Sequence, residues 1–568
     1  MRRTSLTICT VLGIWSALTS ESPCAEKRIT LSEEHLRAVD RERRTIINYE
    51  GRFIGAPFLC DGVELDELVE WHFSLLDRGN HSIDSVWWCF GGGNWASWPS
   101  EVLPVYRFRK YKEWHEKGVD IVRRYVEETR KRGLEVFISH RMNSADTGTK
   151  RQPRIAPPGC KIELSGKIEA PPMKQAHPEW LIRAWKEPNN PAGYVYCWDY
   201  SQQGVRDYRL GIYRELAENY DIDGIELDFC RSPPVLPLGR QWENRDKLTD
   251  FVRSVRLMLL EVEKKRGRPL LLACRVPDSL LGARMDGFDL ERWARELLVD
   301  IFIPGSRSVE YDLAGFQRIT QGTPIKVYPC LEGHHTSDGY KNPPIEVLRG
   351  EAASWWSQGV EGIQTMNFRN ITKEASRPFK EKQLLLSKYD LNASWWDDQH
   401  QLYSEIGSPK TLMYKDKTFV VQRRGGGGVP AHIFPNPDDW YTPTWFYCNT
   451  NMFAPLPTAI SNKGSVDTLL PLYVGDDVNA LADRLRSITL HVLVSNATEG
   501  QMARIQARAN GVQLERPAVE KGWLTFKIKP NQLAPGENIF GLRTGKSLPQ
   551  DAKEIRIEKL EVRVQYRR

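Results

Sequence analysis

The sequence predicts an α/β chain in which a (β/α)8 TIM barrel is followed by an all-β sandwich. Three observations predict it. From about residue 43 to 390, short apolar runs alternate with amphipathic helical patterns. Beyond about 391 the pattern changes to short alternating strands parted by Gly, Pro and Asn turns. Between these, the fourth apolar run carries two acids.

In chain order, Met1-Arg2-Arg3, an apolar run from Leu6 to Leu18 and a stretch ending Pro23-Cys24-Ala25 form the pattern of a secretory signal over residues 1–25. The apolar run is too short to span a bilayer, and no later stretch is long and apolar enough, so the mature chain is expected to be secreted or periplasmic. A lipoprotein reading fits Glu21-Ser22-Pro23 badly. The barrel is expected over 26–390, with strands at Thr45 to Tyr49, Ile83 to Phe90, Leu134 to His140, Ile222 to Phe229, Leu270 to Val276, Ile301 to Pro304, Ile325 to Leu331 and Gly362 to Phe368. Helical patterns lie between them, among them Asp66 to Leu76, Val119 to Arg132, Val205 to Asn219, Lys247 to Lys265 and Ile345 to Gln358. Lys131-Arg132-Gly133 and Lys265-Arg266-Gly267 read as helix ends. Strand-helix alternation with right-handed crossovers implies a parallel sheet, and eight units close it. Gly91-Gly92-Gly93 runs into Asn94-Trp95 and prolines and reads as a loop, which argues against a nucleotide cradle. The stretch from about Arg141 to Trp198, after the third strand, is long enough to build a cleft wall. A β-rich connecting segment is expected over 391–474 and a sandwich over 475–568, with an Asn510-Gly511 hairpin and a turn at Leu533 to Asn538.

The 568 residues carry 79 basic and 73 acidic side chains without a dense basic block, which argues against a nucleic-acid footprint. The 10 cysteines are scattered with no CxxC pair, which argues against a zinc cluster. Cysteines inside strands read as small buried hydrophobes, and Cys160 with Cys197 is the pair favoured by loop position for a disulfide. The 19 Trp and 20 Tyr are numerous, and aromatic faces stack on sugar rings as well as filling cores.

The fourth strand holds the chemistry. Side chains alternate along a strand, so in Asp223-Gly224-Ile225-Glu226-Leu227-Asp228-Phe229 the two acids Glu226 and Asp228 share one face. Paired carboxylates on a buried strand perturb each other and are the groups that acid, base or nucleophile chemistry requires. The other strand ends offer His140 and Arg141, Arg231, Arg275 and Asp278, Arg307, and Glu332 with His334 and His335. The excess of arginines points to an anionic group on the substrate, such as a uronate or a sulfate. Adjacent histidines point different ways, so a metal is not expected.

The stretch Asp223 to Phe229, with Arg231 and Pro233 behind it, resembles the fourth-strand motif of glycoside-hydrolase-like barrels. It is most similar to the glycosyl hydrolase-like 10 type, and more remotely to the amylase and α-galactosidase clans. The resemblance implies that Asp228, at the strand end, is the nucleophile. The stretch also resembles the chitinase signature, but Glu226 stands at its middle aspartate and Cys230 where its catalytic glutamate belongs, so chitin hydrolysis is not implied. The tail resembles the jelly-roll, galactose-binding-like modules that trail many secreted bacterial glycosidases.

The expected function is a secreted glycoside hydrolase acting on a polysaccharide or oligosaccharide by a two-carboxylate mechanism. Asp228 is the nucleophile or base and Glu332 the acid, with Asp278 in reserve. Glu226, His140, Arg141, Arg231, Arg275, Arg307, Trp88, Trp95, Trp198 and His334 are expected to bind substrate. The same residues allow a second reading, a carbohydrate-binding protein that keeps the barrel without turnover. The expected partner is a carbohydrate; no cofactor, metal, nucleic acid, membrane insertion or obligate protein partner is called for.

Overall fold

The computed structural model describes residues 29–50, 63–90, 94–105, 110–143, 171–182, 197–231, 233–305, 308–335, 340–341, 343–368, 370–381, 395–424, 447–448, 451–549 and 551–567. The signal expected at 1–25, the triple glycine at 91–93 and most of the 141–198 insertion lie outside them. Among the described residues, no helix is long and apolar enough to cross a membrane.

Six strands run parallel and in sequence order: β1 (Thr45–Glu50), β2 (Ile83–Cys89), β3 (Glu135–Arg141), β4 (Gly224–Asp228), β5 (Leu271–Val276) and β6 (Ile301–Pro304). The seventh segment is in two pieces, β7 (Lys326–Val327) and β8 (Cys330–Glu332), which precede a small hairpin of β9 (His334–His335) and β10 (Tyr340–Lys341). The eighth barrel strand is β11 (Ile363–Met366). β7 pairs with β6 while β8 pairs with β11, and β11 pairs with β1. The two ends of the sheet are thus halves of one continuous segment, and the sheet closes on itself as a barrel. The break falls at Pro329, which has no N–H to give the ladder.

Alternation sorts the strand residues into two shells. Ile46, Trp87, Phe137, Leu271, Ala273, Ile301, Ile303, Tyr328, Cys330 and Met366 form a separate apolar cluster that fills the barrel interior. Trp87 and Phe137 stack there at 4.6 Å, and a Cβ on Gly224 would lie 2.2 Å from the Phe137 ring. Glycine therefore starts β4 because the layer has no room for a side chain. The outward-facing residues join the helices in the main core. The helix Ile121–Lys131 buries Ile121, Val122, Tyr125, Val126 and Thr129 on one face, and Asp120 caps it by accepting from the Arg123 amide. The helix Arg245–Arg266 ends at Gly267 in the left-handed conformation, with φ 65°, as the Lys-Arg-Gly signal predicts. The helix Trp395–Glu405 packs over the β1, β2 and β11 side, where Tyr403 receives Ser82 on its carbonyl and meets Thr365 through its hydroxyl.

The tail is a two-sheet β domain. One sheet orders β12 (Lys417–Val420), β21 (Arg556–Tyr566), β15 (Leu485–Ser495), β19 (Trp523–Ile528) and β18 (Ala518–Glu520), with β13 (Thr458–Ala459) against β21. The other orders β14 (Thr468–Val474), β20 (Gly536–Arg543), β16 (Gln506–Ala509) and β17 (Val512–Gln513). Inward positions alternate along β15, as a half-buried strand requires. Asn510 and Gly511 both have positive φ and turn β16 into β17. Three strands that the sequence places in the connecting segment, β12, β13 and β14, are members of these sheets. The helix Ile345–Ser357 lies close against β12, since a Cβ on Gly350 would sit 2.3 Å from the Thr418 carbonyl oxygen.

At the end of the barrel away from the strand C-termini, His35 is buried between Glu263 at 2.6 Å and Asp300 at 2.9 Å, and Arg256 binds the other side of Asp300. Burial alone would lower the imidazole pKa. The hydrogen bonds to Asp300 and Glu263 outweigh it and push it up to about 9. A group raised in the folded state stabilises fully below its ordinary value of 6.5, and that contribution is lost as pH rises through about 9. Calorimetry should therefore show the melting temperature falling between pH 6.5 and 10 more steeply in the wild type than in His35→Gln. Equal slopes in the two proteins would remove His35 from the pH dependence.

Candidate active site

Asp228 ends β4 and points into the barrel mouth, as do its register neighbours Arg141 on β3 and Arg275 on β5. It is 0% exposed. Its Oδ1 accepts from the backbone N–H groups of Cys230 at 3.1 Å and Arg231 at 3.2 Å, and the Arg275 Nη1 lies 3.6 Å away. Its Oδ2 is buried and has no hydrogen-bond partner among the described residues. From the far side of the mouth, Glu332 at the end of β8 receives the Arg275 Nη2 at 3.2 Å on one oxygen and the Asn367 side chain on the other. Arg275 also touches the Met366 sulfur. One buried guanidinium therefore joins the two acids singled out as catalytic, and both are brought to the same end of the barrel.

One layer deeper, Glu226 accepts from the Asn48 Nδ2 at 2.6 Å and the Gln364 Nε2 at 3.0 Å. Burial, and next the Asp228 charge, hold its carboxyl well above the usual carboxylate range. Both oxygens are used inside the barrel, so the expectation that Glu226 contacts substrate is corrected: it is held by the interior. Asn48 and Gln364 were missed in the sequence. The signal was there, since each sits two residues along its strand from an interior apolar residue, Ile46 and Met366.

Other expected binding residues are also corrected. His140 pairs in register with Leu227, not with an acid, and so faces the helices. Its Nδ1 lies 3.0 Å from Arg209 and 3.2 Å from the Tyr213 hydroxyl. Alternation forbids His140 and Arg141 from sharing the mouth. Trp88 is in the core, with Tyr49 stacked on it at 4.6 Å, Tyr125 edge-on at 4.9 Å and its N–H donated to Thr129. Trp198 is likewise buried, with its N–H donated to Asn94 and the Lys174 ammonium 5.0 Å from its ring. Neither indole has a face to offer a sugar. Arg275 is committed to the two acids. Arg141, Arg231 and Trp95 are half-buried at the strand ends. Arg307 and the side chain of His334 lie outside the described residues.

Asp278, past the end of β5, is buried, meets the Ser308 hydroxyl through Oδ2, and has no hydrogen-bond partner at Oδ1 among the described residues. Burial raises its carboxyl pKa, against hydrogen bonds from Ser308, Tyr447 and Ser279. Among the described residues, no group of three or more His, Cys, Asp and Glu side chains is placed to hold a metal ion.

Removing Arg275 would leave two buried carboxylates without their shared cation. Arg275→Met is expected to destabilise the fold by about 3–5 kcal/mol in urea unfolding. A change below about 1 kcal/mol would show that the guanidinium does not hold the mouth together.

No family model and no curated protein matches the chain. Among solved structures, it is similar to the glycoside hydrolase domain of PgaB (BpsB) from Bordetella bronchiseptica, with 13% identity and a TM-score of 0.38 over 60% of this chain and 98% of that one. A similarity to α-L-fucosidase isoenzyme 2 from Paenibacillus thiaminolyticus has 12% identity and a TM-score of 0.40, over 66% of this chain and 51% of that one, so the chain spans about half of that enzyme's length. A third, to a putative α-L-fucosidase from Bacteroides thetaiotaomicron, has 12% identity and a TM-score of 0.35, over 96% and 99%.

Proposed function

We propose that the chain is an exported glycoside hydrolase with its reaction centre at Asp228. The observation that carries the reading is the Asp228 carboxylate itself. One oxygen is fixed by two backbone N–H groups and the other is buried at the strand end without a partner among the described residues. A buried carboxylate oxygen left unsatisfied is unfavourable by roughly 1–3 kcal/mol or more. An oriented oxygen of this kind is what a nucleophile attacking an anomeric carbon, or a base acting on the attacking water, requires.

The glycosidic oxygen needs a proton as its bond to the anomeric carbon breaks. Glu332 is the first candidate donor, but as placed it accepts hydrogen bonds at both oxygens, and giving a proton would require the Arg275 contact to break. Asp278 has an oxygen without a partner among the described residues and a carboxyl raised by burial, the property a donor uses. Arg141 and Arg231, half-buried beside Asp228, make uronate-bearing or sulfated glycans the substrate class of this proposal. The secretory-signal pattern read in residues 1–25 supports an extracellular or periplasmic site of action.

Asp228→Asn is expected to lower glycan cleavage by about a hundred- to ten-thousand-fold in product-release assays, while Glu226→Gln stays within a few-fold of wild type. Unchanged turnover in Asp228→Asn would remove the proposal. Glu332→Gln and Asp278→Asn separate the donors. Whichever residue donates, its variant is expected to lose natural glycans yet keep aryl glycosides whose leaving group departs without a proton.

One observation favours the second reading, a binding protein without turnover: Asp228 and Glu332 share a single buried arginine, an arrangement that also serves as a purely structural ion-pair network. Saturable binding of an anionic glycan with no release of product from any member of a panel would select it.

A further inference from the structure

The end of β4 meets a segment from the β domain. Tyr447 and Cys448 lie between β12 and β13 in sequence, yet their two backbone N–H groups both go to the carboxylate of Asp286 on the barrel, that from Cys448 at 2.7 Å. The Tyr447 ring covers Gly282, where a Cβ would lie 2.0 Å from it, and stacks on Phe453 at 5.2 Å. Nearby, Ser308 reaches Asn451 at 2.8 Å. The segment is thus anchored on the rim by several independent contacts. In that position the Cys448 sulfur lies 3.9 Å from the carbonyl oxygen of Cys230, a residue 218 positions away. Both side chains are buried.

We infer that Cys230 and Cys448 are a disulfide site that fastens the β-domain segment to the end of the strand carrying Asp228. The reaction is an oxidation by thiol–disulfide exchange. The two thiols give up two protons and two electrons, a Sγ–Sγ bond forms between them, and an oxidant disulfide such as oxidised glutathione is reduced to two thiols. Burial raises the Cys230 pKa well above the ordinary thiol value, so the thiolate that must attack is scarce in the folded protein and the link is expected to form during folding in an oxidising compartment. The bond closes a loop of more than two hundred residues, and long loops are where a cross-link restricts the unfolded chain most. The inference does not depend on the catalytic reading.

The test is peptide mapping of the full chain, refolded with a glutathione redox pair, then unfolded and alkylated without reduction. A Cys230–Cys448 linked peptide is expected that disappears on reduction, together with a melting temperature several degrees higher for oxidised than for reduced protein. Cys448→Ser should lack both the peptide and the shift. Both cysteines fully alkylated in the oxidised wild type, or Cys448 found linked to another cysteine, would overturn the inference. Because the wild-type map decides it, the result stands even where Cys448→Ser fails to fold.

Discussion

A single guanidinium, that of Arg275, is the constraint on which the mouth of the barrel depends. Asp228 and Glu332 come from strands on opposite sides of the interior, and both are removed from water. Two such buried carboxylates without a cation between them would repel. The arginine between them makes the layer possible and sets its shape, since its planar fork fixes both acids at once. The backbone makes room for it. Gly305 at the end of β6 has no side chain where a Cβ would sit 2.7 Å from the Arg275 Nε. The seventh segment takes part too: its break at Pro329 frees β8 to pair with β11, which brings Glu332 in register with Met366, and the Met366 sulfur is the third group that Arg275 touches.

The periodicity of the chain made the fold legible before any coordinates. The run Ile222 to Phe229 contains β4, and Asn510-Gly511 turns a hairpin as its residue types demand. Runs of β-branched residues bounded by helix-ending glycines carry this information locally. The split of the seventh strand was not legible, because Ile325 to Leu331 reads as one run and the proline effect depends on which neighbour each half pairs with. Nor was the membership of β12 and β14, since short strands reveal their sheet only through their partners.

The site was legible in proportion to how far alternation was applied. It put Glu226 and Asp228 on one face, which holds, but proximity to a strand end is not enough to put a side chain in the mouth. His140 shows this: one residue before Arg141, it faces the opposite way and packs against Tyr213. The tryptophans fail for a different reason. An indole buries more area than almost any other side chain, so Trp88 and Trp198 contribute most to the core, and composition does not separate that use from a sugar platform. The contacts of Asp286 with Tyr447 and Cys448 span more than 160 residues, and nothing in the local sequence of either marks the other.

The two fourth-strand acids differ in depth and in how their oxygens are satisfied. Glu226 has a donor on each oxygen, both from side chains that have no other evident reason to be polar inside a barrel, and its environment has been built around it. Asp228 is treated differently: the chain turns at Cys230 and Arg231 so that two amides fix one oxygen, and the second has no partner among the described residues. A fold selected only for stability gains by satisfying that oxygen or replacing the carboxylate with an amide, because an unpaired buried acceptor is the more damaging state. An oxygen in this condition at the end of a barrel strand is the observation on which the proposed role of Asp228, more than that of the acid pair as a whole, rests.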